Sequence, residues 1–282
     1  MIQTATELPD LRKRICDWRC AKLRIAFVPT MGNLHAGHHS LVRLARQHAD
    51  RVVASVFVNP TQFGPNEDFG RYPRTPEADG AGLEAAGCDL LWQPSVETMY
   101  PHGTLAAVQV RVPGVTEVLE GAHRPGHFDG VATVVARLFH QVQPDVAVFG
   151  RKDYQQLAVI RYLVADLAFP VEIVAGETLR EADGLAMSSR NQYLSADERL
   201  RASEIHRCLQ WMRQAVLSGT ARAEVEAEAA QRLTDAGFAV DYAAIRNADL
   251  DLPAAGEGGP RVALIAARLG RTRLIDNLEF AA

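Results

Sequence analysis

The sequence predicts an α/β protein in which a Rossmann-like, doubly wound parallel sheet is followed by a second, smaller α+β domain. Short apolar runs that end in turn residues alternate along the chain with segments of helical period. Strands that alternate with helices pair in parallel and are covered by helices on both faces. Near residue 178 the pattern changes to long amphipathic helices followed by strand-like segments. We therefore expect a first domain of residues 1–177 and a second domain of residues 178–282.

The first domain is predicted to open with a helix over residues 6–22, with Pro9 in its first turn, where proline is tolerated. Apolar runs predict strands at residues 24–29, 52–58, 90–92, 146–149 and 171–174. Helical periods predict a helix around residues 41–45 and helices over 76–87 (with Thr75 as its cap), 129–143 and 154–168. For the second domain we predict helices over 196–218 and 221–236, then strands over 240–246, 261–268 and 273–280.

The composition is that of an ordinary globular protein and argues against several classes of function. Of 282 residues, 48% are hydrophobic and 23% charged, and the net charge is −4. Basic residues are scattered apart from Arg12-Lys13-Arg14, so we expect no nucleic-acid partner. We expect no signal peptide, and no apolar run approaches the roughly 18 residues that span a bilayer. With four cysteines and no C-x-x-C pair, we expect a cytoplasmic protein with reduced, partly buried thiols and no membrane association.

The first candidate site is the turn between a predicted buried strand and the helix that follows it. Its two glycines let the backbone approach a ligand closely, and the free amides at a helix start attract anions. His35 and His38 are three residues apart, so both imidazoles project from one face of the first helical turn. There they can donate hydrogen bonds to phosphate and stabilise negative charge on a leaving group. We call this segment the nucleotide turn, and it comprises Met31, Gly32, Asn33, Leu34, His35, Ala36, Gly37 and His38.

The spacing of these histidines favours phosphate binding over a purely structural role. A lone histidine here would more often be a helix cap or a core residue, but two in H-x-G-H spacing after a strand are typical of a phosphate site. Zinc binding is disfavoured because no third ligand follows at usable spacing, and we predict no protein-bound metal. We expect His39 to be a solvated neighbour.

Two later segments add positive charge and hydroxyl groups. The lysine segment, Gly150, Arg151, Lys152 and Asp153, follows another predicted strand. Judged alone, a surface helix start explains it equally well, but its place at the same sheet edge favours a phosphate contact. The serine segment, Met187, Ser188, Ser189 and Arg190, lies near the predicted domain junction. Two hydroxyls and an arginine can grip a triphosphate there and act as a lid.

Together these motifs resemble the nucleotidyltransferase superfamily that includes class I aminoacyl-tRNA synthetases, and within it the pantoate–β-alanine ligase family. The resemblance covers about the first 195 residues and returns near the C-terminal end. The segments that carry it are Pro29–His38, Phe57–Phe63, Tyr72–Thr75, Leu119–Gly121, Arg124–Phe128, Gly150–Gln156, Asp183–Asn191 and Leu274–Asn277.

The resemblance implies a ligase that condenses (R)-pantoate with β-alanine at the expense of ATP, through a pantoyl adenylate, with release of pyrophosphate and AMP. It implies that His38 assists the departure of pyrophosphate, that Gln62 and Gln156 bind pantoate, and that Leu179 contributes its backbone to the nucleotide site. It also implies that Mg²⁺ arrives with ATP, that no organic cofactor is tightly bound, and that the protein is a homodimer. Because the substrates supply both nucleophiles, no nucleophilic side chain is required.

The chain departs from the family pattern at two places. The usual Gly-Glu-Lys-Asp has Arg151 in place of glutamate, and we expect this side chain to point to solvent. Where some members carry adjacent aspartates after Tyr-Pro-Arg-Thr, this chain has Glu77-Ala78-Asp79, so a carboxylate ligand for magnesium is not expected there.

Two alternative functions stay open at this point. One is an adenylyl- or cytidylyltransferase that leaves the nucleotide on its product, which Asn59–Phe63 and the C-terminal domain disfavour. The other is a non-catalytic nucleotide-binding module or an RNA-binding synthetase relative. The scattered basic residues disfavour RNA, and the intact histidines and lysine disfavour a site without activity.

Overall fold

The computed structural model describes residues 2–65, 67–254 and 258–282. The chain divides into two compact units, Met1–Arg151 with Gln156–Glu177, and Lys152–Gln155 with Thr178–Ala282. The short segment Lys152–Gln155 therefore groups with the second unit, which the sequence did not indicate. The roles that the sequence assigns to the two domains stay predictions.

The first unit contains a six-stranded sheet in which every neighbouring pair is parallel, with the strand order β1-β4-β3-β2-β5-β6. Its strands are β1 Gln3–Ala5, β2 Ile25–Thr30, β3 Arg51–Val56, β4 Leu90–Trp92, β5 Val146–Gly150 and β6 Glu172–Gly176. The predicted parallel sheet is confirmed. Strand β1 was not predicted, because it has three residues, two of them exposed and polar, and therefore no apolar run.

Helices cover both faces of this sheet. The helices of this part of the chain are α1 Leu8–Cys20, α2 Ala36–His48, α3 Pro76–Ala86, α4 Val96–Met99, α5 Glu120–His123, α6 His127–Val142 and α7 Tyr154–Asp166. Alternate residues of β2 pack into different cores: Phe27 joins the cluster with α1, α6 and α7, whereas Ala26 and Val28 join the cluster with α2 and α3. Burial on both faces explains why β2 is apolar along most of its length.

In the described residues of the second unit, three helices accompany an antiparallel sheet of three strands in the order β7-β8-β9. These elements are α8 Ala196–Ala202, α9 Glu204–Leu217, α10 Arg222–Asp235, β7 Ala239–Asn247, β8 Pro260–Leu269 and β9 Thr272–Ala281. Residues one turn apart on α9 and α10 pack on the buried central strand β8 to form one core. The predicted smaller α+β arrangement is confirmed.

The prediction of a single helix over 196–218 is wrong, because the structure has a break at Ser203. This residue ends α8 and precedes α9, and its buried hydroxyl accepts a hydrogen bond from Arg207 Nη2 at 2.9 Å. The apolar period continues through the break, so periodicity alone does not reveal it.

Within the described ranges, none of the helices combines the length and the apolar character needed to cross a bilayer.

Candidate functional site

The strand order of the first unit reverses between β2 and β5. From β2 the chain adds β3 and then β4 on one side, whereas β5 and β6 lie on the other side. Ligands of doubly wound sheets bind beyond the carboxyl ends of the strands at such a reversal. The nucleotide turn follows the carboxyl end of β2, and Gly150 is the last residue of β5. Within the first unit, the fold therefore brings the nucleotide turn and Gly150 to the edge where a ligand is expected.

The nucleotide turn has a tight backbone that depends on Gly32. The φ angles of Gly32 and Asn33 are 85° and 51°, so two successive residues are left-handed. A Cβ atom on Gly32 would lie 3.0 Å from Val56 Cγ1 and 3.1 Å from Asp79 Oδ2. Any larger residue at position 32 would thus combine backbone strain with unusually close contacts to Val56 and Asp79.

The buried carboxylate of Asp79, on α3, holds this turn. Asp79 is 2% exposed. Its Oδ2 accepts a hydrogen bond from Asn33 N at 3.0 Å, and its Oδ1 accepts one from Leu34 N at 2.8 Å. Thr75 Oγ1 donates to the same Oδ1 at 3.1 Å. Both carboxylate oxygens are therefore occupied by the protein.

The structure differs from the sequence-based expectations for Thr75 and Asp79. Thr75 occupies the N-cap position of α3, as predicted, but its side chain makes no capping hydrogen bond because the hydroxyl is directed to Asp79. From the sequence we expected no magnesium ligand at Glu77-Ala78-Asp79, and the contact of Asp79 with the turn was not predicted. A carboxylate in the first turn of a helix was the available signal, but its partner lies 45 residues away in sequence.

The two histidines of the nucleotide turn cap α2 reciprocally. His35 is the N-cap residue, and its Nδ1 accepts a hydrogen bond from Gly37 N at 3.2 Å. His38 Nδ1 accepts one from His35 N at 3.3 Å, and the two ring centroids are 4.2 Å apart. Because an Nδ1 that accepts a hydrogen bond carries no proton, the neutral rings have their protons on Nε2. Each ring therefore has an Nε2–H donor.

The expectation that His39 is solvated is wrong. Its Nε2 is buried without a hydrogen-bond partner, and the ring packs so closely on α3 that a Cβ on Gly82 would lie 2.4 Å from Nε2. Burial lowers the pKa of His39, Arg43 lowers it further, and Asp79 opposes the shift.

Gln62 lies at the end of a 3-10 turn, Pro60–Gln62, that follows β3. Its side-chain Oε1 accepts a hydrogen bond from Asn59 Nδ2 at 3.0 Å, and its Nε2 donates to Met31 Sδ at 3.2 Å. The structure thus brings the predicted substrate amide into contact with the nucleotide turn. Asn59, which is 1% exposed, was not predicted as a functional residue; Tyr100 OH donates to its Oδ1 at 2.7 Å, and this fixes the amide orientation.

The lysine segment leads from β5 into α7. Arg151 Nε lies 3.1 Å from Glu177 Oε1, so the guanidinium forms an ion pair and does not simply point into solvent. Lys152 is half-buried, and Asp153 is exposed in the 3-10 turn Arg151–Asp153. Gln156, the second predicted pantoate amide, is half-buried in the first turn of α7.

In the second unit, the serine segment lies beside Leu179. Leu179 O accepts a hydrogen bond from Met187 N at 2.9 Å, so these two predicted nucleotide residues are adjacent. Ser188 is the N-cap of the 3-10 turn Ser189–Tyr193, and its Oγ accepts a hydrogen bond from Arg190 N at 3.3 Å. This cap orders the backbone of the predicted phosphate contacts.

An ion pair and an amide connect Lys152 to Arg180 within the second unit. Arg180 Nη1 and Nη2 donate to the buried carboxylate of Asp276 on β9 at 2.6 and 3.0 Å. Asn277 Nδ2 donates to Lys152 O at 2.8 Å, and Asn277 O accepts from Arg180 Nη2 at 3.3 Å. The motif Leu274–Asn277 supported the family resemblance, but its sequence indicated no role. The structure shows that this motif holds the backbone of Lys152.

Among residues 2–65, 67–254 and 258–282, no three or more His, Cys, Asp or Glu side chains are grouped so that they could hold a metal ion. All four cysteines are free. Cys88 and Cys208 are buried, and burial raises the pKa of each thiol to about 12. Cys16 and Cys20 are exposed, which differs from the predicted partly buried thiols.

Comparisons with known proteins identify the family of this chain. The family model described as pantoate-beta-alanine ligase matches residues 3–279. The chain is 68% identical over 280 residues to a pantothenate synthetase of Xanthomonas axonopodis pv. citri (strain 306), covering 99% of this chain and 100% of that relative.

Two solved structures are similar over nearly the whole chain. Pantothenate synthetase from Thermus thermophilus has a TM-score of 0.90 and 49% identity, covering 98% of this chain and 99% of that one. Pantoate-beta-alanine ligase from Francisella tularensis, described as complexed with beta-gamma ATP and beta-alanine, has a TM-score of 0.81 and 31% identity, covering 99% and 97%. The full-length match, together with the nucleotide turn at the sheet reversal, establishes that the chain belongs to the pantoate–β-alanine ligase family.

Proposed function

We propose that this protein condenses (R)-pantoate with β-alanine in two steps driven by ATP. The pantoate carboxylate attacks the α-phosphorus of ATP, and pyrophosphate leaves. The amine of β-alanine then attacks the acyl carbon of the pantoyl adenylate, and AMP leaves with the bonding electrons of the acyl–oxygen bond. The observation that carries this proposal is the capped nucleotide turn at the sheet reversal, with its two Nε2–H donors.

The nucleotide turn binds ATP in this proposal. Most backbone amides of the turn already donate hydrogen bonds within the protein. What the turn offers an anionic ligand is the positive end of the α2 dipole at the carboxyl end of β2, together with the two Nε2–H groups. His38 Nε2–H stabilises the negative charge that builds on the departing pyrophosphate, and His35 adds a second donor. A donor that is already oriented by its cap needs little reorganisation when the charge develops.

The lysine and serine segments also bind the phosphates in this proposal. Gly150, Arg151, Lys152 and Asp153 contribute backbone and charge, Leu179 contributes its backbone, and Met187, Ser188, Ser189 and Arg190 close over the triphosphate. Support comes from the local order of both segments: Asn277 fixes the carbonyl of Lys152, and Ser188 caps the turn that carries Arg190. The proposal requires both segments to contact the nucleotide that the nucleotide turn holds.

Gln62 and Gln156 bind pantoate. An amide side chain suits this ligand because it donates and accepts hydrogen bonds, and pantoate presents hydroxyl groups and a carboxylate. The contacts of Asn59 and Met31 with Gln62 support this role because they fix the orientation of the amide. Oε1 accepts from Asn59, and Nε2, which has two hydrogens, donates one of them to Met31.

Magnesium enters with ATP and stays on its phosphates. Mg²⁺ keeps several waters and commonly binds through substrate phosphates with few protein ligands. The hydrogen bonds that occupy both oxygens of Asp79 support this assignment.

We also propose a cytoplasmic homodimer. Light scattering combined with size-exclusion chromatography tests the dimer, and a monomer at assay concentration would contradict it.

The test measures pyrophosphate and AMP separately with the purified protein. We expect pyrophosphate release from ATP only when pantoate is present, and AMP together with an amide product only after β-alanine is added. A nucleotidyltransferase would retain the nucleotide on its product and release no AMP. Pyrophosphate release that is indifferent to pantoate would refute the proposal.

A further inference from the structure

The first residue of α6, His127, joins two other side chains to the backbone of Gln62. His127 Nδ1 lies 2.9 Å from Gln62 O, and His127 Nε2 lies 3.1 Å from Arg124 Nη1. Arg124 is held by Glu67 through two hydrogen bonds, Nε to Oε1 at 2.8 Å and Nη2 to Oε2 at 2.6 Å. The motif Arg124–Phe128 supported the family resemblance, but neither the sequence nor the proposed reaction gives it a role.

The partners of His127 determine which ring nitrogen carries the proton. A carbonyl oxygen can only accept, so His127 Nδ1 is protonated and donates to Gln62 O. A guanidinium can only donate, so Nε2 is unprotonated and accepts from Arg124. Both contacts therefore select the same neutral form, with the proton on Nδ1. This is opposite to the form that the caps select for His35 and His38.

The surroundings also keep this ring uncharged. Burial lowers the pKa of His127 to about 4, and the nearby Arg124 lowers it further, whereas the hydrogen bond to Gln62 and the charges of Glu67 and Glu120 oppose the shift. A protonated ring would place an N–H against the guanidinium of Arg124 at Nε2. The network is thus complete only with neutral His127.

Hydrogen bonds therefore hold both the main chain and the side chain of Gln62. His127 fixes its main-chain carbonyl, and Asn59 fixes its side-chain Oε1. The backbone between them packs on α6, where a Cβ on Gly130 would lie 2.4 Å from Thr61 O and 2.7 Å from Gln62 N. A side chain that is ordered before binding loses less conformational entropy when it contacts its ligand.

We propose that His127 is a positioning residue for the pantoate site, in which the neutral Nδ1–H form, selected by the Arg124–Glu67 pair, fixes the backbone of Gln62 and so orients its amide. This inference rests on the proposed function, because it takes Gln62 as a pantoate contact. The network itself is independent of that assignment.

The first experiment compares two substitutions that differ in one donor. Asn can place an amide N–H near the position of Nδ1, whereas Leu fills similar space without a donor. We expect His127→Leu to raise the KM for pantoate by about fivefold to tenfold, the effect of one lost hydrogen bond, with the KM for ATP changed less than about twofold. His127→Asn should restore most of the pantoate KM. The exposed His102 provides the control, and His102→Leu should leave both constants unchanged.

Several results would overturn the proposal. A structural role alone would reduce the amount of folded enzyme, which lowers kcat and leaves both KM values unchanged. Equal defects in the Asn and Leu variants would show that the donor is not important. If the wild-type protein releases pyrophosphate without pantoate, the proposed function itself fails. If the wild-type protein depends on pantoate but His127→Leu has a normal KM for pantoate, the function stands and only the role of His127 is refuted.

A second measurement does not depend on activity or on the folding of a His127 variant. Long-range ¹H–¹⁵N spectra of the wild-type protein distinguish the two neutral histidine forms. We expect His127 as the Nδ1–H form at neutral pH, and we expect Arg124→Gln to weaken that preference. A wild-type His127 protonated on Nε2 or on both nitrogens would refute the proposed network.

Discussion

His38 has different partners for its two ring nitrogens, and the proposed catalytic role belongs to only one of them. Nδ1 accepts a hydrogen bond from His35 N and so caps α2. The proton is therefore on Nε2, which is the donor that we propose for the leaving pyrophosphate. Substitutions at this residue can separate the cap from the donor.

We expect His38→Ala to slow adenylate formation by about a hundredfold or more, because removing one oriented donor typically costs on the order of 3 kcal/mol in the transition state. His38→Asn keeps an acceptor near the position of Nδ1, and with it the cap, but has no group at Nε2. It should lose as much activity as His38→Ala while retaining more stability. Single-turnover formation of adenylate measures the rate, and near-normal turnover in either variant would exclude the role.

Gln62 is the second residue whose role can be tested alone. Because its amide is oriented by Asn59 and Met31, Gln62→Ala should raise the KM for pantoate more than the KM for ATP. Steady-state kinetics with each substrate varied in turn measures the two effects. Gln231→Ala, on the exposed face of α10, is the control. A larger rise in the KM for ATP would contradict the assignment.

At the scale of elements, α3 determines the shape of the nucleotide turn although it supplies none of the predicted ligand contacts. Asp79 accepts hydrogen bonds from two consecutive backbone amides of the turn, one with each oxygen. Asparagine has the same shape but only one acceptor oxygen. One amide of the turn would thus lose its partner in Asp79→Asn.

We expect Asp79→Asn to lower the free energy of unfolding by about 1–3 kcal/mol, the cost of an unsatisfied buried donor, and to raise the KM for ATP. Glu77→Gln removes a charge from the same helical turn at an exposed position and should change neither quantity. Urea denaturation and ATP kinetics measure the effects. A normal KM for ATP in a destabilised Asp79→Asn protein would mean that the turn keeps its shape without the carboxylate.

Strand β9 has a comparable relation to the lysine segment. Asn277→Asp removes the donor to Lys152 O and places a negative charge beside that carbonyl. We expect the rate of adenylate formation to fall by about tenfold. This corresponds to about 1.4 kcal/mol, near the upper end of the net contribution of one hydrogen bond. Glu279→Gln, two residues further along the same strand and exposed, is the control.

A double-mutant cycle tests whether Asn277 acts through Lys152. Lys152→Met removes the ammonium group but keeps the carbonyl that Asn277 contacts. If Asn277 only positions the lysine side chain, Asn277→Asp should have little further effect on the rate in the Lys152→Met protein. Full additivity of the two losses would show that Asn277 acts by another route.

At the scale of the whole molecule, local sequence signals predicted most of the fold. Buried parallel strands such as β2 and β3 are continuous apolar runs, and turn residues or glycine follow them closely. The features that were missed have no such signal. Strand β1 is recognisable only from its pairing with β4, and the helix break at Ser203 does not disturb the apolar period.

The candidate site likewise contains residues that local sequence patterns predict and residues that they do not. Short motifs identified the residues proposed to contact ligands, because glycines, histidines and lysine occur there at close spacing. The residues that support them, such as Asp79 and Asn277, contact their partners across 45 and 125 residues of sequence. No local pattern encodes such a contact, so only the folded chain reveals it.

Three partly buried histidines give the molecule a defined response to acid. Burial lowers the pKa of His39, His127 and His206; Arg43, Arg124 and Arg180, respectively, add to the shift, and Asp79 and Asp276 oppose it at His39 and His206. A histidine whose pKa is lower in the folded state binds its proton first in the unfolded state. Its contribution to stability is therefore complete above the unfolded value of about 6.5 and is lost as the pH falls below it.

We expect the free energy of unfolding to decrease as the pH falls from about 7 to about 4, with the contribution of His127 lost between about 6.5 and about 4. When the unfolded state binds one more proton than the folded state, the free energy of unfolding changes by at most about 1.4 kcal/mol per pH unit. The contribution of His127 to the slope cannot exceed this value. Urea denaturation at a series of pH values measures the curve. Because His127→Asn removes the titrating group, its curve should be flatter than that of wild type, whereas His102→Leu should leave the slope unchanged. If the His127→Asn and wild-type curves were parallel, the imidazole would have the same proton affinity in the folded and unfolded states, and the enclosed neutral ring beside Arg124 would be ruled out.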